Sequence, residues 1–196
     1  AFAKRGITPE DYFTFEFISD ARISPDGKQV AYVSSSIDQK RNRRNSSIWI
    51  VALDGHSSSR RLTAEASNAS YPRWNPDGFE LAFLSARASA PGAETSRPQI
   101  YILRMDGGEA QALTHIKNGV SLYQWSPDGT RLAAVVRNGP SDRVDPADRP
   151  SDVRHYFPLP YQFNHTGWIY DKRSHLCAGD ASTGTSRPIT PGANST

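Results

Sequence analysis

One tetrapeptide turn, written three times at equal spacing, constrains this chain more than any other feature. It reads Ser24-Pro25-Asp26-Gly27, Asn75-Pro76-Asp77-Gly78 and Ser126-Pro127-Asp128-Gly129, so both intervals between its glycines are 51 residues. Self-similarity at a fixed period of this size marks a repeat architecture. Proline at the second position presets φ near the type I value. Ser or Asn at the first hydrogen-bonds back to the turn backbone, and glycine at the fourth takes a positive φ. Each copy is therefore expected to be a tight reversal between two extended segments.

The flanks read as strands. Asp20-Ala21-Arg22-Ile23, Tyr71-Pro72-Arg73-Trp74 and Leu122-Tyr123-Gln124-Trp125 precede the turns. Runs beginning Gln29-Val30, Glu80-Leu81 and Arg131-Leu132 follow them, rich in β-branched and aromatic residues. Ala31, Ala82 and Ala133 each stand four places after the turn glycine, where a small side chain suits close packing of one sheet on another. A second hairpin completes each unit. Ile48 to Leu53 returns through Asp54-Gly55 to Arg60-Arg61-Leu62-Thr63, and Gln99 to Leu103 returns through Asp106-Gly107 to Gln111-Ala112-Leu113-Thr114. His175 to Ala178 returns through Thr183-Gly184 to Arg187-Pro188-Ile189-Thr190. The expected fold is all-β: a β-propeller of four-stranded antiparallel blades, with about three blades present in an incomplete ring. The blade-like units fall at about 12–63, 64–114 and 115–190, and residues 1–196 form the N-terminal part of the propeller domain. A sandwich is the rival, but it has no need of one turn at a fixed interval.

Composition adds limits. No apolar run approaches the roughly 20 residues needed to span a bilayer, so no membrane partner is expected. The formal charge of +3 is too mild to argue for nucleic acid. The basic run Lys40-Arg41-Asn42-Arg43-Arg44 is read as a solvated loop between the second and third strands. The one cysteine, Cys177, lies in an apolar strand and reads as a small buried hydrophobe. The opening Ala1-Phe2-Ala3 has the form left at signal-peptidase sites, which leans the localisation toward periplasmic or secreted over cytoplasmic. Sequons at Asn45, Asn68, Asn164 and Asn194 carry no weight by themselves.

A long insertion, from about Arg137 to Ser174, separates the second and third strands of the third unit. Its first part is proline-rich and of mixed charge; its second, Arg154 to Phe163, is aromatic and calls for something to pack on it. Asp142, Asp145, Asp148 and Asp152 lack the spacing of a calcium loop and read as solvated ion pairs. No G-x-S-x-G elbow, H-E-x-x-H, C-x-x-C or Walker loop occurs. His56, His115, His155, His165 and His175 are scattered over loops and strand edges. The sequence therefore offers no catalytic residue, no cofactor-binding residue and no metal ligand, and no cofactor is expected.

The segment Ile7-Thr8-Pro9-Glu10-Asp11-Tyr12-Phe13, the run from Ile18 through the first turn to Val33, and the stretch from Gly167-Trp168 to Pro188-Ile189-Thr190 carry a family likeness. With them the chain resembles the N-terminal part of a propeller from the prolyl oligopeptidase family of serine peptidases, in its acylaminoacyl-peptidase and dipeptidyl-peptidase-like branch. The resemblance implies a parent enzyme that hydrolyses short peptides, with an α/β-hydrolase domain beyond Thr196 holding the serine, aspartate and histidine. The propeller would gate and orient the peptide substrate, and no catalytic residue carries over to this chain. Homo-oligomerisation stays open. Three blades cannot close a ring, so the chain is expected to be part of a longer polypeptide. The alternative is a non-enzymatic propeller of the TolB type that serves as a protein-binding scaffold.

Overall fold

The computed structural model describes residues 5–87, 97–138, 162–163, 167–168 and 173–190. Within these the chain forms a first sheet from β1 (Phe17–Ile23), β2 (Gln29–Asp38), β3 (Arg43–Ala52) and β4 (Arg60–Arg61). A second follows from β5 (Ala69–Trp74), β6 (Glu80–Ser85), β7 (Gln99–Arg104) and β8 (Gln111–Ala112). The third is built from β9 (Val120–Trp125), β10 (Arg131–Asn138), β13 (Arg173–Asp180) and β14 (Ser186–Pro188). A two-stranded hairpin of β11 (Gln162–Phe163) and β12 (Gly167–Trp168) lies within the third unit's insertion. Short 3₁₀ turns occupy Pro9–Thr14 and Glu65–Ser67. Each four-stranded sheet is antiparallel and joins its strands in sequence order, as the repeat predicts. The chain divides into two compact units, Ala1–Thr114 with the first two sheets and His115–Thr196 with the third.

The three turns form as their residues dictate. In the first, the Gly27 amide donates to the Ser24 carbonyl at 2.9 Å and the Gln29 amide to Ser24 Oγ at 2.9 Å. Ser24 Oγ itself donates to Asp26 Oδ1 at 2.6 Å. The third turn repeats this set, with Ser126 Oγ donating to Asp128 Oδ1 and accepting from the Arg131 amide. In the second, Asn75 replaces serine and its side-chain amide reaches Glu80 Oε2 at 3.3 Å. Gly27, Gly78 and Gly129 all adopt left-handed φ, at 72°, 77° and 70°.

A second repeated device was not anticipated. Thr63 Oγ1 accepts from the Ile48 amide at 2.9 Å, Thr114 Oγ1 from the Ile100 amide at 3.0 Å and Thr190 Oγ1 from the Leu176 amide at 2.9 Å. In each sheet a threonine just past the short fourth strand thus supplies the acceptor that a longer strand's carbonyl would have given. It replaces a missing rung of the ladder.

Alternation along the strands builds the core. Ala31, Val33 and Ile48 of the first sheet meet Ala69, Leu81, Phe83, Tyr101 and Leu103 of the second in one buried cluster. Phe83 and Tyr101 stack with centroids 5.8 Å apart. In the third sheet Leu132, Ala134 and Val136 are buried on one face, and Cys177, opposite Ala134, is buried with them. The expected packing role of the recurring alanine holds for Ala31 and Ala82, which are fully buried. Ala133 differs: it is exposed, while its strand neighbours Leu132 and Ala134 on the opposite face are buried.

Strand order also fixes which connections share an end. In every sheet the repeated turn closes one end, and the link between second and third strands leaves from the opposite end. Those links span 39–42, 86–98 and 139–172. The first is a hairpin turn carrying Lys40, Arg41 and Asn42 of the basic run, with Asn42 at φ 47°; Arg43 and Arg44 instead open β3, where Arg44 lies 4.8 Å over the Phe17 ring. The acidic and aromatic parts expected in the third lie outside the described residues, apart from β11 and β12.

Candidate functional site

The most chemically distinctive place among the described residues is the edge where β1 meets β5. Each strand breaks register once, between Ser19 and Arg22 in β1 and between Ser70 and Arg73 in β5. At each break one residue takes a left-handed φ, 47° at Asp20 and 58° at Tyr71. Both stand seven places before their turn glycine. Such a conformation costs a non-glycine residue about 1–2 kcal/mol, and bulges of this kind re-aim side chains.

The re-aimed groups form a charged network. Arg73, with its side chain 10% exposed, donates from Nη1 to both Asp20 carboxylate oxygens at 3.0 Å and to the Pro72 carbonyl at 2.6 Å. Its guanidinium lies 3.5 Å from the centre of the Tyr71 ring. Asp20 also accepts from Arg22 Nε at 2.8 Å. Trp74 Nε1 donates to the Arg22 carbonyl at 3.0 Å, a second tie from β5 to β1. One carboxylate thus faces two guanidinium groups, and Arg22 keeps its side chain 48% exposed. The arrangement can hold an anion; it contains no nucleophile paired with a base.

Other polar groups have structural roles. Asp54 accepts from two amides and a hydroxyl of the turn that follows it, and Asp180 from two amides and two hydroxyls. The Ser57 and Ser182 hydroxyls are the main cause that holds these carboxyls at about 2. The Ser126 hydroxyl does the same for Asp128, also about 2. Arg5 grips Asp11 and holds it at about 2 beside the first 3₁₀ turn. On the third sheet a hollow of about 310 Å³ is lined by residues that include Arg131, Ala178, Gly179 and Arg187. Burial raises the pKa of the Cys177 thiol, which disfavours its thiolate form.

The residues weighed from sequence do not gather. His56 sits in the turn after β3, His115 follows β8 and His175 lies on β13, while His155 and His165 fall outside the described residues. Among the described residues no three His, Cys, Asp or Glu side chains converge on a metal position. No helix among them is long and apolar enough to cross a membrane. The Arg22–Asp20–Arg73 network escaped sequence reading because its signal, a left-handed residue at one fixed register, is a backbone property.

Repeated four-stranded antiparallel sheets with one turn at a constant interval define a protein of the β-propeller class. The family comparison makes this specific: the model of the TolB β-propeller domain matches residues 14–154, and the chain belongs to that family. The uncharacterised peptidase YuxL of Bacillus subtilis is 36% identical over 146 residues, covering 74% of this chain and 21% of the relative. Dipeptidyl-peptidase 5 of Porphyromonas endodontalis is 31% identical over 126 residues, covering 64% of this chain and 17% of the relative. The solved acylaminoacyl peptidase of Pyrococcus horikoshii superposes with a TM-score of 0.70 at 23% identity, over 91% of this chain and 26% of that one. The chain thus spans about a fifth of the length of these curated relatives. Its fold is that of propeller regions in peptidase-family proteins.

Proposed function

We propose that residues 1–196 form the non-catalytic propeller part of a serine peptidase that hydrolyses short peptides. In this reading the propeller limits access and orients peptides for an α/β-hydrolase domain outside this segment. The observation that carries it is the 36% identity to a peptidase of which this chain covers only 21%. The rest of such a relative leaves room for the nucleophile elbow that this sequence lacks. A periplasmic or secreted setting is part of the same reading. The second reading, a TolB-type binding scaffold without catalysis, draws on the family's own description.

Labelling with a fluorophosphonate separates the two. The full-length polypeptide that contains these residues is expected to take the label on a serine outside 1–196. A polypeptide that stays unlabelled while folded would leave the scaffold reading in its place.

A further inference from the structure

The charged network at the β1–β5 edge has a chemistry that packing alone does not require. The first strands of two successive sheets each carry a left-handed residue at the same register, where the ladder is interrupted. What the break gains is the placement of Asp20 between two guanidinium groups. Arg73 is used up within the protein, by Asp20, by the Pro72 carbonyl and by the Tyr71 ring. Arg22 is not. Asp20 takes its Nε proton, and among the described residues neither Nη group donates to a protein acceptor. One positive charge is left over, half-exposed and held in place by Asp20 on the side chain and by Trp74 on the backbone.

Its position suits a ligand. Among the described residues β1 pairs only with β2, so its other edge offers main-chain groups to an extended segment. Ile18 and Ile23, 68% and 64% exposed, provide apolar contact to either side of Arg22 along that edge. The two sheets of the first unit are tied together by side chains at β1 and β5. A guanidinium with its Nη pair available matches a carboxylate through two parallel hydrogen bonds.

We propose that Arg22, oriented by Asp20, binds a carboxylate of a peptide lying along the β1 edge. The inference rests on the peptide-handling reading above and adds a charge preference to it. The carboxylate comes from the peptide's C terminus or from an acidic side chain, and the probes below separate those sources.

The test uses the full-length polypeptide, pretreated with fluorophosphonate to prevent turnover, and fluorescence anisotropy of three probes labelled at the N terminus with an uncharged BODIPY dye, which adds no carboxylate. These are Ala-Ala-Phe-Ala with a free C terminus, the same peptide as its C-terminal amide, and Ala-Asp-Phe-Ala as the amide. At least one carboxylate-bearing probe is expected to bind roughly tenfold more tightly than the plain amide. Arg22→Gln is expected to abolish that difference and leave the affinity for the plain amide unchanged. Arg22→Lys, which keeps the charge but loses the fork, is expected to show a reduced preference, and it decides the matter if the glutamine variant fails to fold. Equal affinity for all three probes in the unmodified protein overturns the inference, as does a full preference that survives in the glutamine or lysine variant. Binding of the amide without any charge preference removes Arg22's role and leaves the peptide-handling reading standing. Failure of all three probes to bind, together with failure to take the label, removes both.

Discussion

Gly78 shows how a single atom is excluded from the repeated turn. A Cβ built there meets nothing nearer than Pro25 Cδ at 3.7 Å, an ordinary contact. Its cost is therefore conformational and comes from φ 77° alone. Gly78→Ala is expected to lose about 1 kcal/mol of stability, and Gly78→Asn distinctly less, because asparagine tolerates the left-handed region. Urea unfolding followed by tryptophan fluorescence measures both. An alanine variant as stable as its parent would show that the turn relaxes out of the left-handed region. The sequence predicted this conformation because proline, aspartate and glycine state it locally. It could not predict the one at Asp20 or Tyr71, since aspartate and tyrosine share nothing beyond register. Their φ follows from how β1 and β5 bulge against β2 and β6.

At the level of the strand pair, the three threonines make a sharper test than any core residue. Thr114 is buried and gives the Ile100 amide its acceptor, while also donating to Gln99 Oε1 at 2.9 Å. Thr114→Val keeps the shape and removes the acceptor, leaving a buried amide unpaired at a cost of about 1–3 kcal/mol. Thr114→Ser keeps the hydroxyl and should lose well under half of that. Amide hydrogen exchange at Ile100 reports it directly: protection is expected to fall in the valine variant and persist in the serine one. Both hairpins of each unit were legible in the alternation and the turn residues, and so was the four-stranded count. The purpose of the terminal threonine was not, because it depends on a partner 14 residues away across β7 and β8. The alanine register was legible only in part. Ala31 and Ala82 are buried as their position suggested, whereas the burial of Ala133 depends on what lies across its sheet face.

For the molecule as a whole, the turns couple stability to acid. Asp11, Asp54, Asp128 and Asp180 are each held at about 2, below the ordinary carboxylate range, by hydroxyl, guanidinium and amide donors. A carboxyl whose folded pKa is depressed stabilises the fold fully above its unfolded value, near 4. That contribution is lost as pH falls toward 2. Melting temperature is therefore expected to stay level from about pH 7 to 5 and to drop steeply between about 4 and 2. Asp128→Asn should make the drop shallower. A curve falling already near pH 6 would contradict this assignment. The fold class was readable from sequence because a repeat declares itself three times. The function was reached through relatives instead, since the residues that declare the fold are turn and core residues with no chemistry of their own.

Each sheet keeps its repeated turn at one end and its links of unequal length, 39–42, 86–98 and 139–172, at the other. Evolution can therefore treat that second end as a set of exchangeable cassettes. A segment can be lengthened, shortened or swapped with a homologue there without moving a turn glycine or a capping threonine. Lineages of one ancestral scaffold would then diverge in what they meet far more readily than in how they fold.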